Sequence, residues 1–131
     1  MYELFVEAKI ENIDKVLDFV SKHIEECSVK IQNQISIAID EIFSNIARYA
    51  YHPEVGLVIV RIAVDEDITI EFEDSGIEYD PLATKDPDLS LSLEEREIGG
   101  LGIFILKKLM DTVEYNRIGD KNVLLIRKKS R

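Results

Sequence analysis

Residues 2–10 alternate between apolar and polar. Tyr2, Leu4, Val6, Ala8 and Ile10 fall on one side of an extended chain and Glu3, Glu7 and Lys9 on the other, which predicts a strand. After Asn12, a plausible helix N-cap, the spacing changes to three and four. Ile13, Val16, Leu17, Val20 and Ile24 then predict an amphipathic helix running to about Cys27. A second helix is predicted over roughly 30–51, with a stripe of Ile31, Ile35, Ile39, Ile42 and Ile46. Isoleucine is not a strong helix former, so packing of that face must hold this helix. His52-Pro53 ends it, because the residue before proline is pushed out of the helical region.

Two strands follow. Leu57–Val64 is apolar except for Arg61, the pattern of a strand buried on both faces or placed centrally. Ile68–Asp74 alternates, with Ile68, Ile70 and Phe72 on one side and Thr69, Glu71 and Glu73 on the other. Asp65-Glu66-Asp67 joins the two as a hairpin turn. From Ser75 to about Ile98 no period is sustained, and a connection longer than ~12–15 residues inside a small domain reads as a functional lid. Gly99-Gly100-Leu101-Gly102 closes that stretch, a short apolar helix covers Ile103–Met110, and a last hairpin pairs Val113–Ile118 with Val123–Arg127. Helices in a group and strands in pairs predict an α+β fold: a two-layer sandwich with a mixed, mostly antiparallel sheet and helices on one face.

Length and charge narrow the function. A chain of 131 residues suits one domain, 1–131. Its 16 basic and 26 acidic side chains give a net charge of −10, which repels a phosphate backbone and argues against a direct nucleic-acid binder. No apolar run approaches the ~20 residues of a membrane span, and the start lacks the basic-then-apolar order of a signal peptide. A cytoplasmic protein is therefore expected. The single cysteine, Cys27, excludes an internal disulfide, and with two histidines it makes a structural zinc site improbable.

Three clusters can carry chemistry. Four of the six glycines, Gly76, Gly99, Gly100 and Gly102, stand at the two ends of the predicted lid. Gly99–Gly102 also precedes a helix, whose N-terminus favours an anion, although glycines there serve equally as hinges and caps. Glu41 and Asn45, four apart, share one helix face. A carboxylate can accept a proton and a carboxamide oxygen can ligate Mg²⁺, while the plain alternative is a solvated polar face. Asp74-Ser75-Gly76 ends an alternating strand; its carboxylate can accept from an exocyclic amine, or the three residues are an ordinary turn.

In sequence, IAIDEIFSNIARYAY (37–51), EDSGIEYDP (73–81) and GGLGIFILKKLMD (99–111) resemble the N-box and the two glycine boxes of the GHKL, or Bergerat-fold, ATP-binding superfamily. The likeness is nearest to its branch of small anti-sigma factors that are also protein-serine kinases, and it runs from Tyr2 to Lys128. The resemblance implies ATP and Mg²⁺ as cofactors, with residues about 75–100 as the ATP lid. It implies Glu41 as general base on an attacking hydroxyl, Asn45 as Mg²⁺ ligand, Asp74 as acceptor for the adenine amine and Gly76 as space beside the ring. Gly100, Leu101 and Gly102 would bring lid backbone to the phosphates, and Arg96 resembles a lid arginine on the terminal phosphate. Asn122 stands near a place where many relatives carry a hydroxyl residue that reaches the adenine region.

The implied function is an anti-sigma factor and serine kinase. Its partners would be an anti-anti-sigma protein of the STAS type and a sigma factor, and it would act as a homodimer. Asn45, Asp74 and Gly76 fit equally well a non-catalytic module in which ATP orders the lid and switches affinity for a partner.

Overall fold

The computed structural model describes residues 1–51, 54–83 and 100–131. Strand β1 (Tyr2–Glu7) leads through a short 3-10 turn into α1 (Ile13–Ser21) and then α2 (Val29–Tyr49). The hairpin β2 (Leu57–Val64) and β3 (Asp67–Asp74) follows, then α3 (Gly100–Leu109) and the hairpin β4 (Thr112–Ile118) and β5 (Lys121–Lys129). All four strand pairings are antiparallel, in the order β1-β2-β3-β5-β4. The helices cover one face, which gives the predicted two-layer α+β sandwich.

The core lies between the layers. Val58, Val60 and Ile62 of β2 and Ile68, Ile70 and Phe72 of β3 are fully buried against Ile35, Ile39, Ile42 and Phe43 of α2. Each such side chain contributes about 1.5–3 kcal/mol by leaving water, which is how packing offsets the weak propensity of the isoleucine stripe. β2 is buried on its helix-facing side alone: Ile59, Arg61 and Ala63 are half-buried on the other face. Its apolar residues reflect a place between β1 and β3, not two covered faces. On that open face Arg61 sits among Glu3, Glu71 and Glu73, with Nε 2.6 Å from Glu3 and Nη1 3.2 Å from Glu73.

Three boundaries differ from expectation. Helix α1 stops at Ser21, and the next turns tighten to i→i+3 bonds, His23 to Val20 and Ile24 to Ser21. Ile24 still points inward, so the apolar stripe outlasts the helix. Asn12 stands at the helix start without capping it, its Nδ2 donating instead to the Glu7 carbonyl, whereas Ser28 does cap α2 by accepting from Ile31 N–H. Ile10 leaves the strand pattern and begins the 3-10 turn. His52-Pro53 and the stretch 84–99, most of the expected lid, lie outside the described residues. Among the described residues no helix is long and apolar enough to cross a membrane.

Candidate functional site

A pocket opens where the C-terminal half of α2 meets the end of β3, the segment after it and the β4–β5 hairpin. Ile42 and Ile46 of α2, Ala50 just after it, Ile103 of α3, Leu124 of β5 and Pro81 form apolar walls. Asn45, Asp74 and Asn122 supply the polar groups, with Tyr49, Tyr79 and Tyr115 around them. Apolar walls with a few convergent polar groups are the usual make-up of a small-molecule site.

Asp74 is the anchor. Alternation along β3 puts it on the same inner side as Ile68, Ile70 and Phe72, so the strand that fills the core ends by turning a carboxylate inward; Asp74 is 4% exposed. Its Oδ1 accepts the backbone N–H of Gly76 and Nδ2 of Asn122, each at 2.9 Å. Its Oδ2 makes no hydrogen bond among the described residues, and Asp74 is one of the residues that line the pocket. Burial raises the Asp74 pKa from its ordinary value, while the bonds from Asn122 and Gly76 and the nearby Arg117 cation pull it back.

Gly76 follows Asp74 by two residues and is not among the residues that line the pocket. A Cβ there would lie 2.6 Å from the Ala50 carbonyl carbon, so the missing side chain lets the loop press on the end of α2, where Ile77 N–H bonds to Ala50 O at 3.0 Å. Backbone, not a flexible side chain, is in the way. Gly76→Ala is therefore expected to destabilise the fold by about 1–3 kcal/mol, the usual range for overpacking, read as a lower urea midpoint; an unchanged midpoint would show that the loop has room.

Glu41 and Asn45 lie one turn apart on α2, and Asn45 Nδ2 donates to Glu41 Oε1 at 3.2 Å. That bond turns the Asn45 carbonyl oxygen toward other partners, and Asn45 lines the pocket. Gly102 in the first turn of α3 packs directly on the Glu41 carboxylate, and a Cβ there would overlap it. Gly100 opens α3 and Leu101 is exposed. Asp74, Asn45, Glu41 and the start of α3 are thus brought to one side of the molecule, joined through the pocket and the Asn45–Glu41 bond. Arg96 lies outside the described residues.

Five participants escape a reading of the sequence by clusters. Asn122, Tyr115 and Arg117 gather around Asp74, and the rings of Tyr49 and Tyr79 lie 5.6 Å apart on the pocket wall. One sign of Asn122 was available: it is the polar member of an inward series otherwise made of Leu124 and Ile126.

An antiparallel sheet with helices on one face, and a pocket lined by a buried carboxylate between the layers, make up a two-layer α+β sandwich. The chain belongs to the histidine kinase-like ATPase domain family, whose model matches residues 6–128. It is 31% identical over 126 residues to the anti-sigma F factor of Clostridium perfringens, covering 93% of this chain and 90% of that protein. It is 26% identical over 93 residues to the serine/threonine-protein kinase BtrW of Bordetella bronchiseptica, covering 69% of this chain and 65% of that one. The serine-protein kinase RsbW of Bacillus cereus is 29% identical over 85 residues, and the match spans 53% of its length. In fold, the chain resembles the RsbU and RsbW domain structure from Mycobacterium tuberculosis, with a TM-score of 0.64 at 15% identity over 98% of this chain and 32% of that one.

Proposed function

We propose that this chain is an ATP- and Mg²⁺-dependent anti-sigma factor and protein-serine kinase that phosphorylates a serine on an anti-anti-sigma partner of the STAS type. The observation that carries the reading is Asp74: a buried carboxylate at a largely apolar pocket, with one oxygen bonded twice by the protein and the other left without a hydrogen bond among the described residues. Such a group fits a flat heterocycle bearing an amine. Kinship with an anti-sigma F factor and with serine-protein kinases supports the choice of activity and partner.

The residues suit the ligands. Asp74 would accept from the adenine amine through Oδ2, and Ile42, Ile46 and Ile103 would supply apolar walls for the ring. Among the described residues no cluster of three His, Cys, Asp or Glu side chains could close around a metal. Mg²⁺ keeps several waters and needs few protein ligands, so the Asn45 carbonyl oxygen would suffice as its protein ligand, and the ion would supply positive charge beside the nucleotide. When bound, ATP supplies the phosphoryl group and Mg²⁺ offsets charge on its oxygens. Glu41 takes the proton of the partner's serine hydroxyl, and positioning with charge stabilisation does most of the remaining work. Gly100, Leu101, Gly102 and Arg96 are assigned to the phosphates, with residues about 75–100 as the lid of a single domain. We place the protein in the cytoplasm, as a homodimer that also holds a sigma factor.

Incubation of the chain with labelled ATP and a STAS-type protein tests the activity. Label on a partner serine is expected, and none with nucleotide still bound would leave only a binding module. Because the chain carries a net charge of −10, the metal is expected to be needed for tight binding. Removing Mg²⁺ with EDTA should weaken ATP binding at least about tenfold in a calorimetric titration, a loss of about 1.4 kcal/mol. Equal affinities would refute the metal's role.

A further inference from the structure

Among the described residues Asn122 makes five hydrogen bonds, and their polarity is one-sided. Its Oδ1 accepts from the Tyr115 hydroxyl, from Arg117 Nη1 at 3.2 Å and from the Tyr79 N–H at 3.4 Å. Its Nδ2 donates to Asp74 Oδ1 at 2.9 Å and to the Ile77 carbonyl at 2.7 Å. Asn122 is 6% exposed and pairs in register with Asp74 across β3 and β5 and with Arg117 across β4 and β5. Three donors from two elements converge on one end of the carboxamide, so the amide cannot flip without facing them with its own N–H groups. Its N–H end is thereby committed to Asp74. Arg117 reinforces this from the side, its Nη1 also donating to the Gly76 carbonyl at 2.9 Å.

We infer that Asn122, held by Tyr115 and Arg117, is the positioning residue for the nucleotide's base: it occupies Asp74 Oδ1 and so presents Oδ2 alone, as an acceptor, to the ligand's amine. The inference rests on the proposed ATP reading. It goes beyond it by assigning base selection to a polar relay reaching from β4 through β5 to the end of β3, in which Asn122 and Arg117 need not touch the ligand. A full set of partners inside a low-dielectric site makes such a relay rigid, and loss of any one member costly.

Asn122→Asp separates positioning from mere packing. The substituted carboxylate still satisfies Tyr115, Arg117 and Tyr79, but its other oxygen opposes Asp74 Oδ1. When that oxygen is protonated its O–H replaces the lost N–H; when it ionises, two carboxylates face each other. The other groups around Asp74 are Arg117, its chain neighbour Glu73, and the phenols of Tyr115 and Tyr51, both pushed above their ordinary values chiefly by burial and so protonated at neutral pH. Titration of Mg-ATP by calorimetry between pH 6 and 8.5, with the native chain as reference at each pH, is expected to show two things. The variant binds about tenfold or more weaker at pH 8, and the ratio to the native chain closes as pH falls.

A variant that folds and matches native affinity at every pH overturns the inference. A native chain that binds no ATP overturns the proposed function first. Should Asn122→Asp fail to fold, Arg117→Met, at a half-buried site, replaces it: removal of the cation that draws Asp74 toward its charged form is expected to weaken ATP several-fold and increasingly so as pH falls, and native affinity throughout would overturn the inference.

Discussion

Asp74→Asn is expected to weaken ATP binding about a hundredfold while leaving a folded protein. The substituted carboxamide can keep its oxygen where Oδ1 stands, still accepting from Gly76 and Asn122. Its amide then replaces Oδ2, so a donor meets the donor of the adenine amine. Two buried donors left facing each other cost about 1–3 kcal/mol apiece, which sets the scale of the loss. Stability should move the other way. Burial is the largest influence on Asp74 and raises its folded-state pKa, so the group favours the folded state at low pH and that contribution is lost as pH rises through the folded value. Relative to Asp74→Asn, the native chain should therefore lose stability from about pH 4 upward, the ordinary aspartate value. Urea unfolding of both proteins across that range would show it. A variant less stable than the native chain at neutral pH, or one that binds ATP normally, would contradict this account of the pocket.

Glu41→Gln is expected to reduce phosphoryl transfer by about 10²–10⁴, the usual contribution of a positioned general base, with ATP affinity changed only a few-fold. Glutamine rather than alanine is the informative choice. Its carbonyl oxygen can still accept from Asn45 Nδ2, so the orientation of Asn45 survives and only the proton acceptor is lost. Gly102 packs on the same carboxylate, and an isosteric replacement preserves that contact as well. Transfer rates would be measured with labelled ATP and a serine-bearing partner, and affinity by calorimetry. If transfer continued undiminished, the proton would have to leave by another route. If the native chain transferred nothing while binding ATP, the module would act as a nucleotide-dependent switch.

Much of the architecture follows from local patterns. The alternation of Ile68, Ile70 and Phe72 places β3 and its buried face, and the isoleucine stripe places α2, because both periods arise from one buried side. The end of α1 does not, since Ile24 continues the apolar spacing while the backbone has already changed to tighter turns. The site divides in the same way. Glu41, Asn45 and Asp74 stand out as candidates because two share a helix turn and the third ends a patterned strand, but only the likeness of the three ordered boxes to a known family chooses them over a solvated face and an ordinary turn. The bonds that tie Asn122 to Asp74, Tyr115 and Arg117 are not legible, because they depend on the register of β3 with β5, which joins residues 48 positions apart. Gly76 shows a subtler limit: sequence marks a place where no side chain fits, and only the fold reveals that the Ala50 backbone fills it.

The central claim is that Asp74 Oδ2 and the Asn45 carbonyl oxygen address two ends of one Mg-bound nucleotide. A crystal structure of the full chain with Mg²⁺ and a non-hydrolysable ATP analogue tests it most directly. The account predicts the adenine amine within hydrogen-bonding distance of Asp74 Oδ2 and the metal on Asn45. A nucleotide seated elsewhere, with this pocket left to solvent, would contradict it.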